Sequence, residues 1–335
     1  MRIGILSRNR TLYSTRRLAQ AARERLHQVE VLDTMSVAVN MNLDAPHLKT
    51  VSHQTLPVLD AIVPRIGSSI THYGLAVVRQ FEAQGVVTTA TSTAIAQSRD
   101  KLHSLQIMHG AGMPTPKTVA VFSLYNLWYA VQSVGGLPVI VKTVQGTQGN
   151  GVMLARTFHA AASAFQQLHQ GDEAVLVQEY IPEAEGRDTR IIVVGGRCVA
   201  AMERCAAAGN FRANLHQGGT AQAIECGRET TQLALRAAHI HQLDVAGVDI
   251  INAQRGPLLL EVNASPGLEG IETVTQKDIA TEIIVFLEKL WQKRSRGRKR
   301  PPHPNPLPRE REPTPPFAFS FHAPRGMLPS TLCVE

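Results

Sequence analysis

Cysteine is scarce: the 335-residue chain has four, Cys198, Cys205, Cys226 and Cys333, and no C-x-x-C pair. That is too few for a disulfide framework in a chain of this length, so reduced thiols are expected. Long apolar runs are also missing. Nowhere do roughly 18 apolar residues follow one another, which argues against a membrane-spanning helix, and the run Met1-Arg2-Ile3-Gly4-Ile5-Leu6-Ser7 is too short for a signal peptide. The expected compartment is the cytoplasm. Charge is sparse too, at 18% against 44% hydrophobic content, which suits a globular chain with one large core or two to three modest ones.

The formal net charge of +7 would suggest nucleic-acid binding if it lay on the folded body. It does not. Residues 292–335 hold nine of the 34 Lys/Arg and three of the 27 Asp/Glu, a net of +6, which leaves +1 for residues 1–291. Within that tail, eight of the sixteen residues from Pro301 to Pro316 are proline, a composition that does not fold alone. A basic, Pro-rich disordered tail over 292–335 is expected, read first as an appendage without a role and second as an arm making weak RNA contacts.

What is present begins with a β-α-β rhythm. Strands are predicted at Arg2–Leu6, Val29–Leu32, Leu59–Pro64 and Val86–Thr88, with helices over Ser14–Leu26 and Tyr73–Ala83, giving an α/β N-terminal domain over residues 1–95. From Asp100 the pattern changes. A helix over Lys101–His109 is followed by strands at Thr118–Val121, Val139–Lys142, Gly151–Leu154, Ala174–Glu179, Arg190–Val194, Cys198–Arg204, Gly247–Ile251 and Leu258–Asn263. Helices are expected near 158–169, 229–241 and 276–290. Hairpins outnumber crossovers, so the second domain, 96–291, is expected to be α+β with antiparallel sheets.

The sharpest chemical signal is the pair of strands ending in Gly247-Val248-Asp249 and Glu261-Val262-Asn263. Side chains alternate along a strand, so Glu261 and Asn263 share a face while Leu260 and Val262 point to the core. A turn centred on Arg255 sets Asp249 across from Glu261. Three oxygen donors then meet at one solvent-facing spot, as a hard cation such as Mg2+ requires. The competing reading is the polar face of an ordinary hairpin.

Lys142 closes an apolar strand and is followed by Gly146, Gly149 and Gly151 in G-x-x-G-x-G spacing. The next segment is a strand, where P-loop and dinucleotide motifs need a helix, so the glycines form a hairpin loop. Such a loop lets backbone N–H groups approach phosphate oxygens, with Lys142 adding a point charge, though a plain turn reads the same way. At Gln178-Glu179-Tyr180-Ile181 a strand end could offer backbone groups to an adenine edge, and Asp188 could take ribose hydroxyls.

In order, Asp100-Lys101, Pro138 to Lys142, Gly146 to Gly151, Gln178 to Ile181, Gly247 to Asp249 and Glu261 to Asn263 resemble the ATP-grasp superfamily over roughly residues 95 to 290. Pro64 to Ser69, Gly186 to Arg190, Phe211 to Asn214 and Glu261 to Glu272 closely resemble the RimK ligases, which add glutamate to the C-terminus of small-subunit ribosomal protein six. The resemblance implies a glutathione-synthetase-like ATP-grasp fold in which two α+β subdomains enclose ATP. It implies Lys101 and Lys142 on the phosphates, Glu179 and Tyr180 presenting backbone to adenine, and Asp188 on the ribose side. Arg212, Ala213 and Asn214 would flank the triphosphate, and Asp249, Glu261 and Asn263 would hold one or two Mg2+ or Mn2+ ions.

The implied activity is ATP-dependent carboxylate–amine ligation through an acyl phosphate, with glutamate and the C-terminal tail of a ribosomal protein as partners, no membrane, and a homo-oligomeric state. Catalysis is assigned to Lys142 and to Arg212, which would stabilise the developing oxyanion; Arg65 and Arg204 are candidate clamps for substrate carboxylates. Alternatives are another ATP-grasp acceptor (a small carrier, glutathione, a pterin, or free poly-glutamate) and a non-catalytic RNA- or ribosome-binding protein working through its tail.

Overall fold

The structure, a computed structural model, describes residues 1–40, 48–50 (backbone only), 56–146, 151–169, 171–207, 209–213 and 218–297. Gly149, Asn214, Cys333 and the proline-rich stretch therefore lie outside the described residues. Among the described residues, three larger sheets and a two-stranded ribbon build the unit Met1–Arg294.

The run Ile3-Gly4-Ile5-Leu6 lacks polar alternation because strand β1 (Arg2–Leu6) is buried on both faces, as inner strands of parallel sheets are. It pairs in parallel with β2 (Gln28–Leu32), reached through helix α1 (Tyr13–Glu24). A short antiparallel ribbon joins β3 (Val37–Val39) to β4 (Leu48–Thr50). On the other side of β1 lies β5 (Ala61–Pro64), which leads through α2 (Thr71–Ala83) to β6 (Val87–Thr88), so the order is β2-β1-β5-β6. The strand order reverses between β1 and β5. In open parallel sheets that is where ligands meet the carboxyl ends of the strands.

Two helices follow. Helix α3 (Ser92–Arg99), which the sequence reading did not predict, starts at Thr91, whose side chain accepts the Ala94 N–H. Helix α4 (Lys101–Gly110) restarts after one residue, capped by Asp100 accepting the His103 N–H at 2.9 Å. The break at Asp100 places Arg99 and Lys101 at adjoining helix ends that both line the cleft described below.

The second sheet is antiparallel, in the order β7-β10-β8-β9, from β7 (Thr118–Val121), β8 (Val139–Thr143), β9 (Val152–Ala155) and β10 (Val175–Glu179). Helices α5 (Leu127–Ser133) and α6 (Phe158–Leu168) cover one face through Leu127, Ala130, Ala161 and Phe165. The third sheet, also antiparallel, orders β11 (Arg187–Val194), β12 (Arg197–Cys205), β13 (Thr220–Ala223), β14 (Val245–Ala253) and β15 (Gly256–Asn263) as β13-β12-β11-β14-β15. Its central strands are buried on both sides. Ile191 and Val193 pack toward α7 (Arg228–Ile240), while Ile192 and Val194 pack with α8 (Glu269–Thr275) and α9 (Ile279–Gly297).

The α/β domain followed by antiparallel α+β sheets is the architecture the sequence predicts. Helix α9 begins three residues later than expected and continues past Trp291 to Gly297. Cys198, Cys205 and Cys226 are free thiols. Among the described residues, no helix is long and apolar enough to cross a membrane.

Candidate active site

All three sheets border a cleft of about 1030 Å³. The parallel sheet contributes Ser7 and Arg8 after β1 and Arg65 to Ile70 after β5; the second sheet contributes Ile140, Lys142 and Gln178; the third contributes Asp188, Arg190, Arg204, Asp249, Glu261 and Asn263.

The β14–β15 hairpin shows how its carboxylates reach this cleft. Ala253 pairs with Gly256, so the turn is centred between Gln254 and Arg255, not on Arg255 as the sequence reading supposed. An unbroken ladder from that turn would set Asp249 against Leu260. Glu261 would then share the face of Leu259, which packs in the core with α7. Instead the register slips by one residue between the pairs Ile250–Leu259 and Asp249–Glu261. Leu260 is the extra residue of a bulge, and a bulge re-aims the side chains that follow it. Asp249 thus lies across from Glu261, as expected, and Gly247 from Asn263, but Leu260 lines the cleft rather than the core. Gly247 also keeps the following loop close, since a Cβ there would lie 2.8 Å from the Pro266 side chain.

Asp249 is not solvent-facing, as the parity argument had it, but 3% exposed and held by two arginines. Arg190, its cross-strand neighbour on β11, donates Nε and Nη2 to the two carboxylate oxygens at 2.7 and 2.5 Å. Arg204 donates to it at 2.9 Å and to both oxygens of Asp188 at 2.7 Å. The four side chains form a neutral cluster. Burial pushes the Asp188 carboxyl up to about 6 against the pull of Arg204, with Asp249 adding to the rise. Burial also raises Asp249, but Arg190 and Arg204 overcome it and hold its carboxyl well below the usual carboxylate range. Arg204 is therefore a strut of the third sheet, and its reading as a clamp for substrate carboxylates is corrected.

The opposite wall has no such balance. Lys142 is 8% exposed and donates to Gln178 Oε1 at 3.1 Å, which fixes the head group without neutralising it. Burial, with Lys101 nearby, pushes its ammonium down to about 8. Lys101 donates to the Gly146 carbonyl at 2.8 Å, and burial lowers it also. Glu261 is the carboxylate whose field acts on Lys101, Lys142 and Arg99 alike.

The metal triad can be tested against these contacts. Its donors are two carboxylates and an amide, an all-oxygen set suited to a hard divalent cation. Arg190 Nη2 lies 2.5 Å from Asp249 Oδ2 and 3.9 Å from Glu261 Oε1, so a cation already stands between the two carboxylates. Asn263 donates its amide to Glu261 at 2.9 Å. The residues fit a metal on Glu261 and Asn263 directly; Asp249 would join by sharing its charge with Arg190.

Of the remaining candidates, Gly146, Glu179, Tyr180, Arg212 and Ala213 line the cleft. Gly151 sits at the hairpin base with φ +78°, its Cα backed against the Thr143 hydroxyl, where a Cβ would come within 2.6 Å. Only glycine fits there. The Glu179 N–H donates to the Lys117 carbonyl at 2.9 Å, so it is committed to the sheet and not offered to a base. Arg212 stacks its guanidinium over Phe211 at 5.3 Å and reaches the Val152 carbonyl at 3.4 Å. Arg190 and Arg99 were missed. A signal for Arg190 existed: on the strand Arg187-Asp188-Thr189-Arg190, positions 188 and 190 share a face, and an arginine beside an aspartate there is a charge pair in waiting.

Family models match nearly the whole folded length: a RimK PreATP-grasp domain over residues 1–95 and a RimK-like ATP-grasp domain over 98–287. Among similar proteins, one of Hydrogenovibrio crunogenus named probable alpha-L-glutamate ligase is 49% identical over 289 residues, 86% of this chain and 96% of the relative. A Cellvibrio japonicus protein of the same name is 46% identical over the same shares. Among solved structures, a RimK domain ATP-grasp protein of Sphaerobacter thermophilus matches with a TM-score of 0.66 at 20% identity, over 85% of this chain and 99% of that one. The D-alanine–D-alanine ligase of Bacillus anthracis matches with a TM-score of 0.64 at 16% identity, over 89% and 99%. The chain belongs to the RimK-like ATP-grasp family of ATP-dependent ligases.

Proposed function

We propose that the protein is an α-L-glutamate ligase that links glutamate, at the expense of ATP, to the C-terminal carboxylate of a protein acceptor in the cytoplasm, with small-subunit ribosomal protein six as the acceptor. The observation that carries this reading is the unbalanced wall of the cleft: Lys142 buried and Lys101 half-buried, without partner carboxylates of their own, opposite Glu261 and Asn263. Buried cations that lack a counter-charge suit a ligand that brings several negative charges.

A carboxylate resists attack by an amine because its leaving group would be oxide. Bound MgATP supplies the remedy, a γ-phosphoryl group that turns the acceptor carboxylate into an acyl phosphate and a metal that offsets the charge on the phosphate oxygens. The chain's part is placement. Lys142, fixed by Gln178, and Lys101, fixed by the Gly146 carbonyl, hold phosphate oxygens in position. Asp249, Glu261 and Asn263 hold one or two Mg2+ or Mn2+ ions, and Asp188 takes the ribose side. The adenine edge falls to the Glu179–Tyr180 backbone, with the Glu179 N–H excluded. Arg212 donates to the oxyanion that forms when the amine attacks.

In this reading residues 1–95 close the substrate side and 96–291 perform the grasp. The test is incubation with ATP and radiolabelled glutamate, with purified ribosomal protein six, with other acceptors, or with none. Label entering the ribosomal protein is the expected result. Label entering only free poly-glutamate or a small carrier would reassign the acceptor, and no incorporation into any acceptor would overturn the ligase reading.

A further inference from the structure

Arg65 and Arg99 stand apart from the other arginines with salt-bridge or buried surroundings. Arg17 pairs with Glu272 and Asp278, Arg25 with Glu288, Arg190 with Asp249, and Arg204 with Asp188 and Asp249. Among the described residues neither Arg65 nor Arg99 has an ion pair. Arg65 donates one Nη2 bond to the Pro266 carbonyl at 2.8 Å, and Arg99 donates Nη2 to the Ile66 carbonyl. The Nε of Arg99 is sealed from solvent with no hydrogen-bond partner among the described residues. Burial pushes the Arg65 guanidinium down to about 10, and the like charge of Arg99 adds to that fall. Burial lowers Arg99 also, with Glu261 opposing. Two half-buried like charges lining one cleft, with a donor left unmade, raise the free energy of the empty protein. Such strain persists where a ligand relieves it.

The place in the fold says which ligand. Arg65 is the first residue beyond the carboxyl end of β5, beside the point where the parallel sheet reverses its strand order. Its bond to Pro266, with the Ser265 hydroxyl donating to the Pro64 carbonyl at 3.3 Å, ties this corner to the loop that follows Asn263. Arg65 and Arg99 line the same cleft as Lys101, Lys142 and Glu261. Guanidinium forks match planar carboxylates in two parallel bonds, which a lysine cannot do.

We propose that Arg65 and Arg99 form the carboxylate subsite for the incoming amino acid, and that the two guanidinium groups together select a substrate with a second carboxylate. This rests on the glutamate-ligase reading above. Such a subsite would favour glutamate over glutamine, because the neutral side-chain amide would leave one guanidinium uncompensated.

The test uses the full chain and the variants Arg99→Met, Arg99→Lys and Arg65→Lys. Initial rates give KM separately for glutamate, acceptor and ATP; calorimetry gives the Kd of MgATP; thermal melts with and without glutamate give binding without turnover. The expected result is a glutamate KM raised about 10- to 100-fold in Arg99→Met, a smaller rise in both lysine variants, and MgATP affinity within twofold of wild type. The thermal shift that glutamate gives the wild type should vanish in Arg99→Met. An unchanged glutamate KM with a lowered Tm would make the pair a structural tie and overturn the proposal. A rise in the acceptor KM alone, or a loss of MgATP affinity alone, would overturn it in favour of the acceptor's carboxylate or the phosphates. If the wild type ligates no glutamate, the functional reading fails instead; the melts then decide the subsite, equal glutamate protection of wild type and Arg99→Met overturning it.

Discussion

The two walls of the cleft use the same residue types in opposite ways. On the third sheet, Arg190 and Arg204 meet Asp188 and Asp249 across neighbouring strands, and the cluster is neutral. On the other wall, Arg65, Arg99, Lys101 and Lys142 are fixed by carbonyl and amide oxygens, which orient a cation without cancelling it. The first arrangement holds a sheet together. The second withholds the counter-charge until a substrate brings it, so loss of an arginine from the neutral cluster should cost more stability than loss of a cation from the other wall.

The largest effects are expected at the phosphate end. Lys142→Ala and Glu261→Gln should each abolish ATP-dependent ligation and leave the circular dichroism spectrum unchanged; wild-type-like turnover in either would remove that residue from the site. Arg204→Met should show its effect in stability. It strands the buried Asp249 and the half-buried Asp188 beside one remaining arginine, and the expected cost is about 3–5 kcal/mol, read as a lowered denaturant midpoint. If Arg204→Met were as stable as wild type, the division between the walls would fail.

A gentler probe is pH. The Lys142 ammonium titrates near 8 in the folded chain and near its free value of 10.5 when unfolded. Between those values the unfolded state binds more protons, so this group adds to the stability of the ligand-free protein as pH rises from 8 to 10.5. Phosphate oxygens would restore the charge. MgATP binding near pH 9 should therefore take up a proton, seen as a dependence of the calorimetric heat on buffer ionisation enthalpy, and affinity should fall above pH 8. No buffer dependence would mean that Lys142 does not face the phosphates. Smallest of all is Arg197→Ala: its pair with Glu282 leaves the two side chains 63% and 43% exposed, so a stability change within about 0.5 kcal/mol is expected.

Much of this was legible in the sequence, for reasons that particular residues show. Alternation made Glu261 and Asn263 neighbours on one face, and apolar runs such as Val139-Ile140-Val141 marked strands that are indeed buried. The bulge at Leu260 was not legible, because nothing in Leu258-Leu259-Leu260 distinguishes the extra residue; the pairing of Asp249 with Glu261 came out right from a misplaced turn. Helix α3 escaped notice because eight residues of mixed character carry little periodicity. The role of Arg204 was misread because its partners lie 16 and 45 positions away along the chain, and separation of that kind is settled only by strand order.

The central claim is that the uncompensated wall serves carboxylate activation by phosphoryl transfer. Counting nucleotide products against glutamate linked tests it most directly, with labelled ATP and labelled glutamate in one reaction. The account predicts one ADP and one inorganic phosphate for each glutamate joined, all lost together in Glu261→Gln. Release of AMP and pyrophosphate, or glutamate transfer that continues in Glu261→Gln, would contradict it.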